Sequence, residues 1–307
     1  MSVPQFFTLV RRELWEYRSL LWVPLAAAVL MWGAAIVSST LSGGLQIQVD
    51  GDDVRFFEQL STDSLRQSQL FAVWISALLV PLLMIGFIVI FFYLTDSLYA
   101  ERKDRSILFW KSMPVSDLST VGSKAFTALV AVPLWIWSLS LLLGLGIFAI
   151  IAARYSGTTL DPLTHFHLGV WFTVQGTLLL NILIAVLWYA PIAAYLLTVS
   201  VLVNRAPVLW VGLIPMALAF AENAISDTTH ILQFIGHRLA GFFEIFAPSL
   251  NRPDDDSVDR TMQTIELAYR ELSAASLLAD PQLWLGVVVA MGLGWAAARL
   301  RRWRDDG

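Results

Sequence analysis

Few side chains in this sequence could carry chemistry, and none of them completes a recognised catalytic motif. Gly122-Ser123-Lys124 resembles the end of a phosphate-binding loop but lacks the preceding glycine and the following hydroxyl residue. The H-E-x-x-H zinc motif and the G-x-S-x-G nucleophile motif are absent. His165 and His167 have no nearby carboxylate partner, so they read better as interfacial histidines than as a metal pair. We therefore expect no enzymatic activity and no metal or cofactor bound by this chain alone.

Two carboxylates, Asp96 and Glu222, lie in or beside long apolar runs. A charge at the centre of a bilayer costs roughly 2.5 to 3.5 kcal/mol on insertion scales, so a central carboxylate would be a functional candidate. Both residues lie near the ends of their runs, and Arg102 could pair with Asp96. We therefore interpret them as buried polar or ion-paired groups rather than as proton carriers.

The acidic run Asp254 to Asp256 is interpreted as a complement to a helix dipole rather than as a cation site.

The composition requires a lipid environment. Of the 307 residues, 57% are hydrophobic and 14% are charged, and the mean hydropathy is +0.67. This is more apolar surface than a soluble core of this size needs. Cysteine is absent, which removes disulfides and thiol chemistry without indicating a compartment.

The spacing of charges predicts an all-α polytopic membrane protein with six transmembrane helices. A bilayer core needs about 20 mostly apolar residues per helix. A long apolar tract is divided by Asn204, Arg205 and Pro207, and Pro191 should kink the helix before that division. The predicted spans are residues 20–41, 67–98, 123–153, 168–203, 207–225 and 281–299.

Lysine and arginine favour the cytoplasmic side of a membrane in short flanking segments. If both termini are cytoplasmic, thirteen of the twenty lysines and arginines lie on the inner side. We therefore expect a multi-pass protein with both ends in the cytoplasm.

The segment before the first span reads as a helix on the membrane surface, over residues 1–19. Phe7, Val10, Leu14, Tyr17 and Leu21 recur at helical spacing, which predicts its apolar face. A plain cytoplasmic tail is the alternative interpretation. The residues expected to anchor the helix to an anionic leaflet are Arg11, Arg12, Trp15 and Arg18.

Residues 226–280 form the longest predicted extracytoplasmic segment. Ile231, Ile235, Leu239, Phe242 and Phe246 make an apolar stripe on a helix too short to span, so it should lie in the interface or enter it re-entrantly. A second, more soluble helix is predicted from Val258 to Leu272.

The loop at residues 99–118 carries charges followed at once by large apolar side chains, and Pro114 ends any helix there. A short helix with exposed Phe109 and Trp110 needs either the lipid interface or a groove on a partner. The residues alone leave these two alternatives open.

At this loop the chain resembles the permease subunits of ABC-2 type transporters, a family of bacterial exporter transmembrane domains. That family carries an E-R-x-x-x-[ST]-I/L loop ending in P-V-S, preceded by an amphipathic helix. The resemblance covers essentially the whole chain as a single domain. The matching residues are Glu101, Arg102, Ser106, Ile107, Pro114, Val115 and Ser116, with Lys124 opening the third span.

The resemblance implies a permease in the bacterial inner membrane that dimerises with itself or a paralogue. It also implies two cytoplasmic ATPase subunits, which bind the ATP and magnesium and drive efflux. The first and fifth spans would line the dimer interface. The residues implied to couple to the ATPase are Glu101, Arg102, Arg105, Ser106, Ile107, Leu108, Phe109, Trp110 and Pro114.

Two other classes remain as alternatives. One is a non-transporting membrane subunit that transmits ATPase-driven force to, or scaffolds, an extracytoplasmic protein through residues 226–280. The other is a secondary transporter, which the lack of an inverted repeat and of central charges disfavours.

Overall fold

A computed structural model describes residues 3–41, 64–104, 115–157, 167–244 and 274–303. Within these ranges all regular secondary structure is helical, as the sequence predicts. In chain order the elements are α1 (Val3–Glu16), α2 (Ser19–Leu41), α3 (Ser64–Ser76), α4 (Leu79–Lys103), α5 (Asp117–Phe126), a π-helical turn (Thr127–Ala131), α6 (Val132–Tyr155), α7 (Leu168–Leu202), α8 (Pro207–Ser226), α9 (His230–Glu244), a 3-10 helix (Ala274–Ala279) and α10 (Pro281–Trp303).

Six of the described helices are long and apolar enough to cross a membrane, which indicates a multi-pass membrane protein and confirms the predicted number of spans. They are α2, α4, the continuous helix formed by α5, the π-helical turn and α6, and then α7, α8 and α10.

The second predicted span is interrupted. Residues 67–98 were expected to form one helix, but the chain breaks at Ala77 and Leu78, between α3 and α4. Pro81 explains the break, because its ring clashes with the carbonyl four residues earlier, at Ala77, and it has no N–H to donate. The helix of membrane-spanning length therefore begins at Leu79 rather than Gln67.

The third and fourth spans are longer than a bilayer requires. The third runs without interruption from Asp117 to Arg154, 38 residues, and α7 has 35 residues. At 1.5 Å per residue these helices are about 57 and 52 Å long, against a hydrocarbon core of about 30 Å. Both must tilt or project beyond the apolar layer. The projecting first part of the third span, α5, carries the charged residues described below.

Helix α7 lies at the centre of the bundle. More than half of its most apolar stretch is buried, and it packs against α3, α4 and α10. Pro191 lies inside it without ending it. The chain leaves α7 after Leu202 and enters α8 at Pro207, through a turn in which Ala206 adopts φ 49°. The break predicted around Asn204 and Pro207 is therefore confirmed.

Two spans are exposed along most of their length within this single chain. Helix α8 has no buried residue in its apolar window, and α2 is the next least buried. Large apolar side chains cover both surfaces, including Leu30 and Trp22 on α2 and Phe220 and Met216 on α8. These two helices must face lipid or another protein.

Candidate functional site

Helix α1 turns a glutamate toward the bundle. Its buried residues are Leu9, Val10 and Glu13, and Leu20 continues the same face after the bend that follows α1. Phe7, which the sequence placed on the apolar face, is largely exposed although its ring touches that of Phe126. The inward face is therefore rotated relative to the predicted one, because a buried ion pair at Glu13 takes the place of one apolar contact.

Lys124, on α5, is the partner of Glu13. Its Nζ atom donates to Glu13 Oε2 over 2.8 Å and lies 3.1 Å from Glu101 Oε1. The Tyr93 hydroxyl also donates to Glu13 Oε2, over 3.0 Å. Neither Lys124 nor Glu13 is exposed to solvent. One ammonium thus bridges carboxylates from α1 and α4.

The Glu101 carboxylate contacts three basic side chains. Besides Lys124, its Oε1 atom accepts from Arg12 Nη2 over 3.0 Å, and its Oε2 atom accepts from Arg301 Nη2 over 3.0 Å. Arg301 also donates to Asp117, in the first turn of α5. Arg12 in turn donates to Glu13 Oε1 over 2.7 Å. We call these six residues the ion network: Arg12, Glu13, Glu101, Asp117, Lys124 and Arg301.

The ion network is formally neutral, with three acidic and three basic side chains. Desolvating each ion costs several kcal/mol, so a buried group of this kind is tolerated only when its charges balance and its donors and acceptors are paired. Removing one member leaves an uncompensated buried charge, which typically costs about 3 to 5 kcal/mol. The network therefore holds α1, α4, α5 and α10 in a fixed arrangement.

Two tyrosines close the network on one side. The Tyr17 ring lies 5.9 Å from Lys124 Nζ and meets Tyr93 edge to face at 4.9 Å between centroids. Burial, reinforced by nearby carboxylates, raises the pKa of Tyr17, so its hydroxyl stays protonated. Burial also raises the pKa of Glu16, at the edge of the network, although Lys124 opposes the shift.

Residues of the ion network lie on both sides of the loop between α4 and α5. Glu101 lies near the end of α4, and Asp117 and Lys124 lie just after the loop, on α5. The Ser116 hydroxyl caps the start of α5 by accepting from the Ser119 N–H over 3.2 Å. Both ends of the loop are thus fastened to α1 and to the last turns of α10. These four elements meet at one end of the bundle.

Arg102 fastens the same end of α4 to α7. Its Nη2 atom donates to the carbonyls of Ser200 and Val203 over 2.8 and 2.7 Å, and Nη1 donates to Asn204 over 3.3 Å. These carbonyls terminate α7, where a cation is favoured by the helix dipole. Arg102 therefore makes an intramolecular helix cap.

The predicted coupling residues are thus divided. Glu101 and Arg102 are committed to contacts within the chain, and Glu101 is too buried to touch a partner directly. The others lie outside the described residues, namely Arg105, Ser106, Ile107, Leu108, Phe109, Trp110 and Pro114.

The two isolated carboxylates are placed differently from the expectation. Asp96 is exposed on α4 rather than buried, and its predicted partner Arg102 is engaged by α7. Glu222 accepts from the backbone N–H groups of His230 and Ile231, each over 2.8 Å, and from the Thr228 hydroxyl. Glu222 therefore caps the N-terminus of α9 instead of forming an ion pair.

The predicted anchoring residues also separate into two groups. Arg11, Trp15 and Arg18 are exposed on the outer face of α1, and the Arg11 guanidinium lies 4.9 Å from the centre of the Trp15 ring. Arg12 instead turns inward and joins the ion network. It is a structural partner of Glu101 rather than an exposed anchor.

The sequence predicts little of this network. Its pattern marks Lys124 only as the start of a span, includes Arg301 only among the basic residues that favour the cytoplasmic side, and does not single out Glu13 or Asp117. The available signal was an acidic residue at position 13 among Leu9, Tyr17 and Leu20, which share a helix face with it. Charged residues inside the predicted spans do not reveal this site, because its members lie on α1 and near the ends of the spans.

Comparisons with protein families, with curated proteins and with solved structures found no match. Within the described residues, no three histidine, aspartate or glutamate side chains come together so that they could hold a metal ion.

Proposed function

We propose that this chain is the permease subunit of an ATP-driven exporter of the ABC-2 type. In this proposal a cytoplasmic ATPase docks on the loop at residues 105–114, and its ATP-driven closure rearranges the spans. The observation that carries the proposal is the ion network, because it fastens both ends of that loop to α1, α4, α5 and α10.

A loop that receives force needs a stiff connection to the helices it moves. Lys124 and Glu101 supply it, since both are buried and each contacts at least two other charged groups. Arg102 extends the connection to α7, the central span. Displacement of the loop would therefore be passed to four of the six spans: those that begin or end at α4, α5, α7 and α10.

The arrangement of the ends also supports the proposed orientation. The contacts of Glu13 and Arg301 bring α1, the end of α4, the start of α5 and the end of α10 together at one end of the bundle. Most lysines and arginines of the short flanking segments lie at that end, which favours the cytoplasm. In the proposal α1 lies on the inner surface of the bacterial cytoplasmic membrane, with Arg11, Trp15 and Arg18 toward the lipid.

The exposed spans support a dimer. Helices α2 and α8 are the least buried of the six, and they are the first and fifth spans, which the family resemblance assigns to the dimer interface. A second copy or a paralogue would cover part of the apolar surface that α8 leaves open.

Isolation of the tagged chain from its native membrane tests the proposal. The expected result is an assembly containing a second protein with a phosphate-binding loop and an ATP-hydrolysing activity. An assembly without any nucleotide-binding protein, obtained under conditions that preserve the dimer, would contradict the exporter function. It would then favour a role as a scaffold.

A further inference from the structure

Among the residues that the structure describes, helix α9 holds the most buried arginine outside the ion network. Arg238 is only 2% exposed, yet no carboxylate of the described residues forms an ion pair with it. An arginine stays charged under all ordinary conditions, so a full positive charge is buried here. Such a charge is unfavourable unless its donors are satisfied and something fixes its position.

The two terminal guanidinium nitrogens of Arg238 donate to two other helices, whereas its buried Nε atom has no hydrogen-bond partner among the described residues. Nη1 donates to the carbonyl of Trp188 on α7 over 3.3 Å, and Nη2 donates to the carbonyl of Gln282 in the first turn of α10. In return the Trp188 indole N–H donates to the Arg238 carbonyl over 3.0 Å. One residue of α9 is thus bonded through both its side chain and its backbone.

Aromatic rings enclose the guanidinium. Its central carbon lies 4.6 Å from the centre of the Trp188 ring and 5.7 Å from that of Phe234. Trp188 is itself fully buried and meets the His237 ring edge to face. Stacking of this kind stabilises a cation, and more strongly when the cation is desolvated.

Gly286 provides the space for the charge. A Cβ atom at this position of α10 would lie only 2.7 Å from the central guanidinium carbon. Gly292 and Gly294, on the same helix, have nothing within 4 Å of such an atom. A side chain at position 286 would therefore displace the guanidinium of Arg238, whereas Gly292 and Gly294 are not so constrained.

The contact on α7 lies beside a weak point of that helix. Pro191 has no N–H, so the carbonyl of Leu187 loses its usual donor, one residue before Trp188. Arg238 is therefore hydrogen-bonded to α7 next to the position at which a proline makes this helix easiest to bend. We propose that Arg238 holds α9 against this part of α7 and against the first turn of α10, and we call this set of contacts the clasp. Bending of α7 at Pro191 would then move α9. The inference does not depend on an ATPase partner.

Hydrogen exchange of the full chain in lipid nanodiscs tests the clasp. Replacing Arg238 by Gln or Gly286 by Ala should raise amide exchange in α9 on the order of tenfold, because each change releases the same contact. The double variant should add little to the larger single effect. Arg299→Gln is the matched control, since it removes an exposed arginine stacked 4.9 Å over Trp295 on α10.

The mechanical part of the proposal needs a second comparison. Pro191→Ala should alter exchange in α9 in the native background and leave it unchanged when Arg238 is Gln. Pro24→Ala, in α2, serves as the control for a proline inside another span. The proposal is overturned if α9 exchange responds to Arg238→Gln no more than to Arg299→Gln. It is also overturned if exchange rises evenly over the whole chain, or if Pro191→Ala acts equally in both backgrounds.

Discussion

The ammonium of Lys124 lies 2.8 Å from a carboxylate oxygen of Glu13, and solvent reaches neither side chain. This contact joins α1 to α5 across 111 residues of sequence. It also ties the helix before the first span to the helix that follows the α4–α5 loop.

Replacing Lys124 by Met should lower the free energy of unfolding by about 3 to 5 kcal/mol, because Glu13 and Glu101 would lose one of their two shared cations, and the three carboxylates of the network would face only two arginines. Denaturant titration in mixed micelles measures the change. Lys103→Met, at an exposed position of α4, is the control and should behave like the native protein. Adding Glu13→Gln to Lys124→Met should recover part of the loss. A loss below about 1 kcal/mol would contradict a buried network.

Glu13 and Glu16 should respond in opposite ways to neutralisation. The pKa of Glu16 is raised in the folded protein, mainly by burial, so its ionised form is less favourable there than in the unfolded chain. Glu16→Gln should therefore preserve or increase stability at neutral pH. The difference should shrink as pH falls below the folded-state pKa and vanish below the unfolded-state pKa, where Glu16 is protonated in both states. Glu13→Gln, which leaves Lys124 with one carboxylate fewer, should be destabilising at neutral pH. Equal losses for both variants would contradict this assignment.

The packing of α4 against α6 depends on Gly86. A Cβ atom there would overlap the Ile136 side chain, so Gly86→Ala should destabilise the protein by about 1 to 3 kcal/mol. Shortening the neighbour in Gly86→Ala/Ile136→Val should restore part of the loss. Gly212→Ala, where nothing lies within 4 Å, is the control. An unchanged unfolding transition for Gly86→Ala would show that these helices are further apart.

The proposed orientation can be tested by thiol labelling, because the chain contains no cysteine. Ser226→Cys, at the exposed end of α8, should react with a membrane-impermeant maleimide in intact spheroplasts. Ser19→Cys, at the exposed start of α2, should react only after the membrane is opened. The reverse pattern would place both termini outside.

Hydrophobic length and charge spacing were sufficient to predict the spans. The sequence predicts six spans, the turn at Asn204 to Pro207 and a helix over Ile231 to Phe246, because each depends on local composition. The structure has that helix from His230 to Glu244, and Phe246 and the helix predicted from Val258 to Leu272 lie outside the described residues. The break at Ala77 was missed because an apolar run hides the effect of Pro81. Local patterns fail where a single proline outweighs hydropathy.

The ion network could not be predicted in the same way. Its members come from positions 12, 13, 101, 117, 124 and 301, and only tertiary packing brings them together. The role of Arg238 is not predictable for a related reason, since its partners are backbone carbonyls, which no sequence pattern marks. A charge on the buried face of a helix is the one local sign that both sites share.

The central claim is that a cytoplasmic ATPase docks on the α4–α5 loop, and the pair Phe109→Asp and Trp110→Asp tests it most directly. Large aromatic anchors carry much of the binding energy of such contacts, so charges there should disrupt docking. Trp303→Asp, at an exposed tryptophan near the same end of the bundle, is the control. The measurement is ATPase retention and ATP turnover in the isolated assembly, with the unfolding midpoint recorded alongside. We expect the loop variant to lose both while folding normally and the control to keep both. Unchanged retention and turnover in the loop variant would contradict the account.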